Sequence, residues 1–138
     1  MTQEEKDLLH KDLCARLPYG VHVQHRHFSE PLQLTSMRLL ELGSVESIDA
    51  TLEDVKPYLL PLSSMTEEQM DKVEEILMGY DPKIIFDFMA DGDIIFKKGN
   101  ISIKAFIELT QYFDKEMLDY RGLIPMGLAN DATGLNIY

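Results

Sequence analysis

Residues 84–98 read IIFDFMADGDIIFKK and decide the fold class, because they set two apolar runs on either side of a turn. The runs are Ile84–Phe88 and Ile94–Lys98, and both are rich in the β-branched and aromatic residues typical of strands. The Asp91-Gly92 dipeptide between them tolerates positive φ, which favours a type I′ turn. The stretch therefore predicts a β-hairpin.

Helices are predicted on both sides of this hairpin. Thr66 and Gln69 form a capping box, which indicates a helix over residues 67–78 that ends at Gly79. After the hairpin, Asn100 or Ser102 caps a third helix. Its apolar stripe is wide enough to predict burial on two sides, and consists of Ile103, Phe106, Ile107, Leu109, Thr110, Tyr112, Phe113 and Met117.

The final stretch, residues 120–138, reads YRGLIPMGLANDATGLNIY and carries only two charges, Arg121 and Asp131. Disordered termini are usually polar, because a polar segment gains too little free energy from burial to offset the entropy lost on ordering. The tail is therefore predicted to pack, either within its own domain or on a partner. The tail is expected to pack on the wide apolar stripe of the third helix.

The N-terminal half begins with a capping box of Thr2 and Glu5, which predicts a helix over residues 3–16. Period-two alternation then starts at Val21 and Val23. Further runs follow at Leu32, Leu34, Met37 and Leu39, and at Val45–Leu52. These runs predict a small antiparallel β meander, with an SH3-like or Sm-like barrel as one possible form.

Residues 56–62, KPYLLPL, contain two prolines, which argue against a regular helix or a central strand. The segment is expected to run extended, with Tyr58, Leu59 and Leu62 buried. The chain is thus predicted to be α+β. It is predicted to form a single domain over 1–138, with two subdomains at 1–62 and 66–138 as the alternative.

Composition restricts the class of partner. Thirteen basic and twenty-four acidic residues give a formal net charge of -11, which repels phosphate backbones and argues against direct nucleic-acid binding. An acidic surface also suits a mimic of nucleic acid. The N-terminus lacks the basic and apolar regions of a signal peptide and no run resembles a membrane span, so a cytoplasmic location without membrane contact is expected. Cys14 is expected to be a small buried hydrophobe.

Three histidines form the candidate metal site: His22, His25 and His27. On a strand His25 and His27 point to one face, where neutral imidazoles can share zinc, copper or nickel. The alternative is a polar sheet rim without metal. No catalytic residue and no cofactor is predicted, because glycine-rich phosphate loops, paired cysteines and nucleophile elbows are missing from the sequence.

Arg121 and Tyr120 are the candidate partner-binding residues. Arg121 stands nearly alone in an apolar segment, where its guanidinium can offer a bidentate fork to a carboxylate or phosphate. The alternative is an internal role, in which Arg121 pairs with Asp119 or with a carbonyl at a helix end.

Three stretches carry a resemblance to a known family: KDLCARLPYGV at 11–21, VKPYL at 55–59 with PLSSMT at 61–66, and DYRGLIPMGLA at 119–129. Their order and spacing resemble a family of small proteins that recur in gut Bacteroidales genomes, often in prophage-like or mobile regions. The resemblance implies a cytoplasmic bacterial or phage context. It implies no activity and no functional residues.

These observations predict a non-enzymatic protein-binding or accessory protein of mobile-element type. The first alternative is a small metal-dependent binder or enzyme that uses the three histidines. The second is an acidic nucleic-acid mimic, which would bind a basic DNA-binding partner.

Overall fold

A computed structural model of the chain describes residues 1–26, 28–35 and 52–138. It contains both helices and strands, so the predicted α+β class is confirmed. The chain divides into two compact units, residues 1–60 with 121–138, and residues 61–120. The elements are α1 (Gln3–Arg16), β1 (His22–His25), β2 (Leu32–Gln33), β3 (Val55–Leu59), α2 (Glu67–Tyr80), β4 (Ile85–Phe88), β5 (Ile94–Lys98), α3 (Ile103–Lys115) and β6 (Asn130–Asp131).

Helix α1 of the first unit begins as predicted. The Thr2 hydroxyl accepts a hydrogen bond from the Glu5 N–H, and the Glu5 carboxylate accepts one from the Thr2 N–H. These two bonds satisfy donors that would otherwise be orphaned at the helix start. The helix buries Leu9 and Leu13 completely. Cys14, however, is exposed, so its expected burial is wrong.

The sheet of the first unit has the strand order β2-β1-β3-β6. The pairs β1–β2 and β1–β3 are antiparallel, whereas β3–β6 is parallel. Among the described residues these strands form an open sheet and not a closed barrel, so the SH3-like or Sm-like expectation is wrong. The predicted strand positions Met37 and Leu39, and residues 45–51, lie outside the described residues.

Strand β3 corrects the expectation for the proline-containing segment, because it lies between β1 and β6. The Arg26 N–H donates to the Asp54 carbonyl, so Arg26 and Asp54 form a hydrogen-bonded pair. From this pair onward, non-hydrogen-bonded and hydrogen-bonded pairs alternate along β1 and β3. Pro57, opposite Val23, consequently falls at a non-hydrogen-bonded position. Pairing with β6 starts only at Tyr58. A central strand therefore accommodates Pro57. Leu59 is buried as expected, while Tyr58 and Leu62 are half-buried.

The tail packs, as predicted, but within the first unit. β6 pairs with β3, and the Ala132 N–H donates to the Leu59 carbonyl. Leu123 and Leu128 on the approach to β6 are buried, as is Ala132 after it. The predicted subdomains, 1–62 and 66–138, place this tail in the same subdomain as the hairpin. Strand pairing places residues 121–138 with residues 1–60 instead.

In the second unit the predicted helices and hairpin are confirmed, but α2 does not end at Gly79 as predicted and continues to Tyr80. The Thr66 and Gln69 side chains complete their capping box at the start of α2. Ser102, rather than Asn100, caps α3, and its hydroxyl accepts from the Ala105 N–H. β4 and β5 pair antiparallel, with Phe88 opposite Ile94. No helix in the described part of the chain is both long and apolar enough to cross a membrane.

The hairpin turn differs from the predicted type I′. The Gly92 N–H donates to the Met89 carbonyl, and the Met89 N–H donates to the Asp93 carbonyl. The loop therefore consists of Ala90, Asp91 and Gly92, with Gly92 at a φ of +88°. This is a type I turn followed by a bulge with glycine in the left-handed conformation.

The stripe on α3 is also less buried than predicted. Leu109 and Phe113 are buried, but Ile103 is 81% exposed, Phe106 54% and Ile107 49%. The expectation that this helix is buried on two sides is therefore wrong for its N-terminal half. These exposed side chains bear directly on the candidate site.

Candidate functional site

The hairpin has an inner and an outer face, set by the period-two alternation of its strands. Phe86, Phe88, Ile94 and Phe96 form the inner face and are only half-buried. The rings of Phe86 and Phe88 meet edge to face with centroids 5.6 Å apart. Core aromatic side chains are normally more fully covered than this, so the inner face is an apolar surface with an incomplete cover.

A pocket of about 240 Å³ opens between β5 and α3. Phe106 and Leu109 line it from the helix, and Ile94 and Phe96 line it from the strand. Tyr120 and Thr110 contribute the hydroxyl groups of the lining. A few polar groups on an apolar lining are typical of binding pockets.

A second cleft, of about 340 Å³, lies between α2 and β4. Met78 and Glu74 line its helix side, and Phe86 and Phe88 line its strand side. The inner face of the hairpin thus borders a concavity at each strand. We call the set Met78, Phe86, Phe88, Ile94, Phe96 and Phe106 the hairpin surface.

The exposed N-terminal half of α3 extends the hairpin surface. Ile103, Phe106 and Ile107 lie three and four residues apart, so they are neighbours on one side of the helix. Phe106 also lines the pocket beside β5. Contiguous exposed apolar side chains of this kind mark interaction sites more often than chance exposure does.

The charges that line these concavities are acidic. Asp93 lines the β5 pocket, and Glu74 and Asp87 line the α2 cleft. Asp81 lines a third pocket, between α2 and the start of α3. Among the described residues that line the three pockets, none is lysine or arginine. Lys97 Nζ pairs with Asp87 at 2.5 Å, so the acids that favour a cationic ligand are Glu74, Asp81 and Asp93.

Two tyrosines of this unit remain neutral at physiological pH. Burial, with the adjacent Glu116 carboxylate, raises the pKa of Tyr112 to about 12. A hydrogen bond to Glu108 raises the pKa of Tyr80 above its ordinary value. Both phenols stay protonated beside their acids, so neither adds a charge to this surface.

The candidate metal site does not assemble from the described histidines. His22 and His25 are three residues apart on β1, so they point to opposite faces. The His22 ring meets Tyr138 edge to face, and its Nδ1 lies 3.1 Å from the Gly20 carbonyl oxygen. The His25 ring contacts Phe28. His27 lies outside the described residues. Within the described ranges, no group of three metal-ligating side chains is found.

The candidate partner-binding residues fall in different units. Arg121 lies in the first unit, where its Nη1 donates to Asp12 Oδ1 at 2.7 Å. Arg16 Nε donates to both oxygens of the same carboxylate, and Asp12 and Arg16 are fully buried. Arg121 thus has an internal contact, in line with the alternative interpretation, and Asp12 is a carboxylate that it binds. Tyr120 lies in the second unit, packs on Phe113 and lines the β5 pocket.

Comparison with models of protein families, with curated proteins and with solved structures finds no match to the chain. The resemblance to small proteins of Bacteroidales mobile regions stays a prediction.

The sequence does not identify the hairpin surface as a binding site; of the two candidate partner-binding residues, only Tyr120 lies beside it, in the lining of the β5 pocket. The apolar runs at 84–88 and 94–98 predict strands, but apolar periodicity alone does not show whether a strand is covered. One signal was available: β4 and β5 carry apolar residues on both faces, including Ile85 and Ile95. A two-stranded sheet cannot bury both faces without a further layer.

Proposed function

We propose that this protein is a non-enzymatic protein-binding module whose second unit docks a segment of a partner protein. The half-buried inner face of the hairpin, bordered by two concavities, supports this proposal most directly. Phe86, Phe88 and Phe96 are large anchors that gain apolar contact when a partner covers them.

The chemistry of the partner follows from the lining. The two concavities are lined mainly by apolar side chains, and the acids of the lining are Glu74, Asp93 and Asp87, of which Asp87 pairs with Lys97. An apolar centre with a charged rim is the usual anatomy of a protein interface. The partner segment is therefore expected to combine apolar side chains with lysine or arginine. Its expected setting is the cytoplasm of a bacterial host, as part of a mobile element.

Selection of peptides from a random display library on the full chain tests this function. We expect enriched peptides to be rich in apolar and basic residues. Phe106→Gln should weaken their binding about tenfold or more, which is the usual effect at an interface anchor. Phe106 is already 54% exposed, so the substitution should leave the fold intact.

Leu135→Gln is the matched control, because Leu135 is 53% exposed and lies in the first unit. It should leave peptide affinity unchanged. Failure to enrich any peptide, or an equal loss with both variants, would reject the hairpin surface as the docking site.

A further inference from the structure

Aromatic rings line the β5 pocket from three parts of the second unit. Phe106 and Phe113 lie seven residues apart on α3, so their side chains share one face of the helix. Phe96 contributes a ring from β5, and Tyr120 contributes one from the segment after α3. The Tyr120 ring packs on the Phe113 ring, with centroids 5.6 Å apart. Because the faces of aromatic rings carry negative charge density, such a lining attracts cations.

One carboxylate, that of Asp93, belongs to the lining of this pocket. Asp93 Oδ1 accepts from the Ile94 N–H at 2.8 Å. Ile94 also lines the pocket, so this bond holds the carboxylate at the pocket wall. Among the described residues no ion pair engages Asp93, and Lys97, the first lysine after it on β5, pairs with Asp87. The described part of the chain therefore leaves the Asp93 charge to a ligand.

The pocket has a closed end and an open end. Leu109 and Phe113 are only 5% exposed, whereas Phe106 is 54% exposed. The volume of about 240 Å³ lies below the roughly 300–1,000 Å³ of sites that hold drug-sized ligands. The pocket therefore suits a compact head group.

Hydrogen-bonding groups in the lining are few. The Thr110 hydroxyl donates to the Ile107 carbonyl of its own helix at 3.0 Å. A primary ammonium or a guanidinium carries several N–H donors, and each donor that leaves water without a partner costs free energy. A quaternary ammonium has no N–H donor, and its methyl groups suit an apolar lining. Aromatic rings recognise such groups through cation–π attraction.

Charge argues against the other compact ligands. The described lining holds Asp93 and no lysine or arginine, and the chain has a formal net charge of -11. A phosphate or a carboxylate would therefore be repelled. A neutral apolar group would gain burial, but neither the rings nor the carboxylate would attract it.

We infer that the β5 pocket binds a quaternary ammonium group, with its methyl groups among the aromatic rings and its charge beside Asp93. The group can belong to a free organic cation such as choline or to a trimethylated lysine of a partner protein. This site goes beyond the proposed docking function and does not depend on it.

Choline is the probe, titrated onto the full chain and followed by amide chemical shifts in NMR. We expect saturable shifts at the lining residues. Dimethylbutanol, in which a carbon atom replaces the choline nitrogen, has the same shape without the charge. It should bind about tenfold more weakly than choline. Equal affinity for the two compounds would show a merely apolar pocket and overturn the inference.

Asp93→Asn removes the charge and keeps an oxygen that can accept from the Ile94 N–H. It should weaken choline binding about threefold or more and leave dimethylbutanol binding unchanged. Asp91→Asn is the matched control, because Asp91 accepts a similar bond from the Asp93 N–H and does not line the pocket. It should leave the binding of both compounds unchanged. Equal losses of choline binding in the two variants would show general charge attraction and contradict the site.

Phe106→Leu tests the role of an aromatic ring. The substitution keeps an apolar side chain at an exposed position, so the fold should remain intact. Choline binding should weaken more than dimethylbutanol binding, because only the cation is attracted by the ring. Equal losses for the two compounds would mean that Phe106 acts through its area alone, which contradicts recognition of a cation.

Trimethyllysine with capped ends distinguishes the two sources of the group. Affinity at least equal to that of choline would show that the pocket admits a lysine side chain, and would assign the group to a partner protein. Weaker binding than that of choline would assign it to a free organic cation. Either result supports the site.

The absence of saturable choline shifts at the lining residues overturns the inference. If display still selects peptides that require Phe106, the protein-binding function stands and only the ammonium site fails. Choline binding without any selected peptide would support the site and reject the docking function.

Discussion

Substitution of Gly92 by alanine tests how the hairpin turn is held in the second unit. Gly92 has a φ of +88°, a conformation that costs an L-residue about 1–2 kcal/mol. An added Cβ would also lie 2.2 Å from the Leu62 carbonyl carbon and 2.4 Å from its oxygen. Relief requires movement of the backbone around Leu62, and such overpacking costs about 1–3 kcal/mol. The total expected loss is about 2–5 kcal/mol.

Urea denaturation followed by circular dichroism measures this loss. Gly127→Ala is the matched control, because Gly127 has a φ of +75° and no atom within 4 Å of an added Cβ. The control should lose only the conformational cost, about 1–2 kcal/mol. Equal losses in the two variants would refute the close packing of the turn on Leu62, and with it the geometry of the β5 pocket.

Three further predictions concern the first unit. Asp12→Ala should destabilise the fold by about 3–5 kcal/mol in urea denaturation, because it removes the buried carboxylate that accepts two hydrogen bonds from Nε of the fully buried Arg16; a loss under 1 kcal/mol would contradict this. Burial raises the pKa of Tyr138 to about 12, so stability should fall as pH rises from about 10 to 12, where the unfolded chain ionises first. Tyr138→Phe should reduce this loss of stability at high pH, and a variant with an unchanged pH profile would contradict the role of Tyr138. Leu123→Ala should cost about 2–5 kcal/mol and Leu135→Ala much less, as the former is fully buried and the latter exposed; equal melting temperatures would contradict packing of the tail.

Local chemistry explains what could be predicted from the sequence. The capping boxes at Thr2 and Thr66 and the hairpin around Gly92 depend on residues close in the chain. Each such signal satisfies its own hydrogen bonds or sets its own backbone conformation, so it can be identified without knowledge of the rest of the fold.

Long-range pairing explains what could not be predicted. A central strand accommodates Pro57 because neither neighbouring strand requires an N–H donor at this position. The register of β3 with β1 and β6 decides this, and the register cannot be read from the sequence. Arg121 binds Asp12, which is 109 residues away in sequence. Apolar periodicity likewise cannot tell a covered stripe from an uncovered one, so the exposure of Phe106 was missed.

The proposed function requires the hairpin surface to be the docking site for a partner segment. Amide chemical shifts of the full chain, recorded by NMR with and without a display-selected peptide, test this most directly. The largest changes should fall within residues 84–98 and 103–107, with the Phe86 and Phe88 amides among them. Changes confined to residues 1–60 and 121–138 would contradict it.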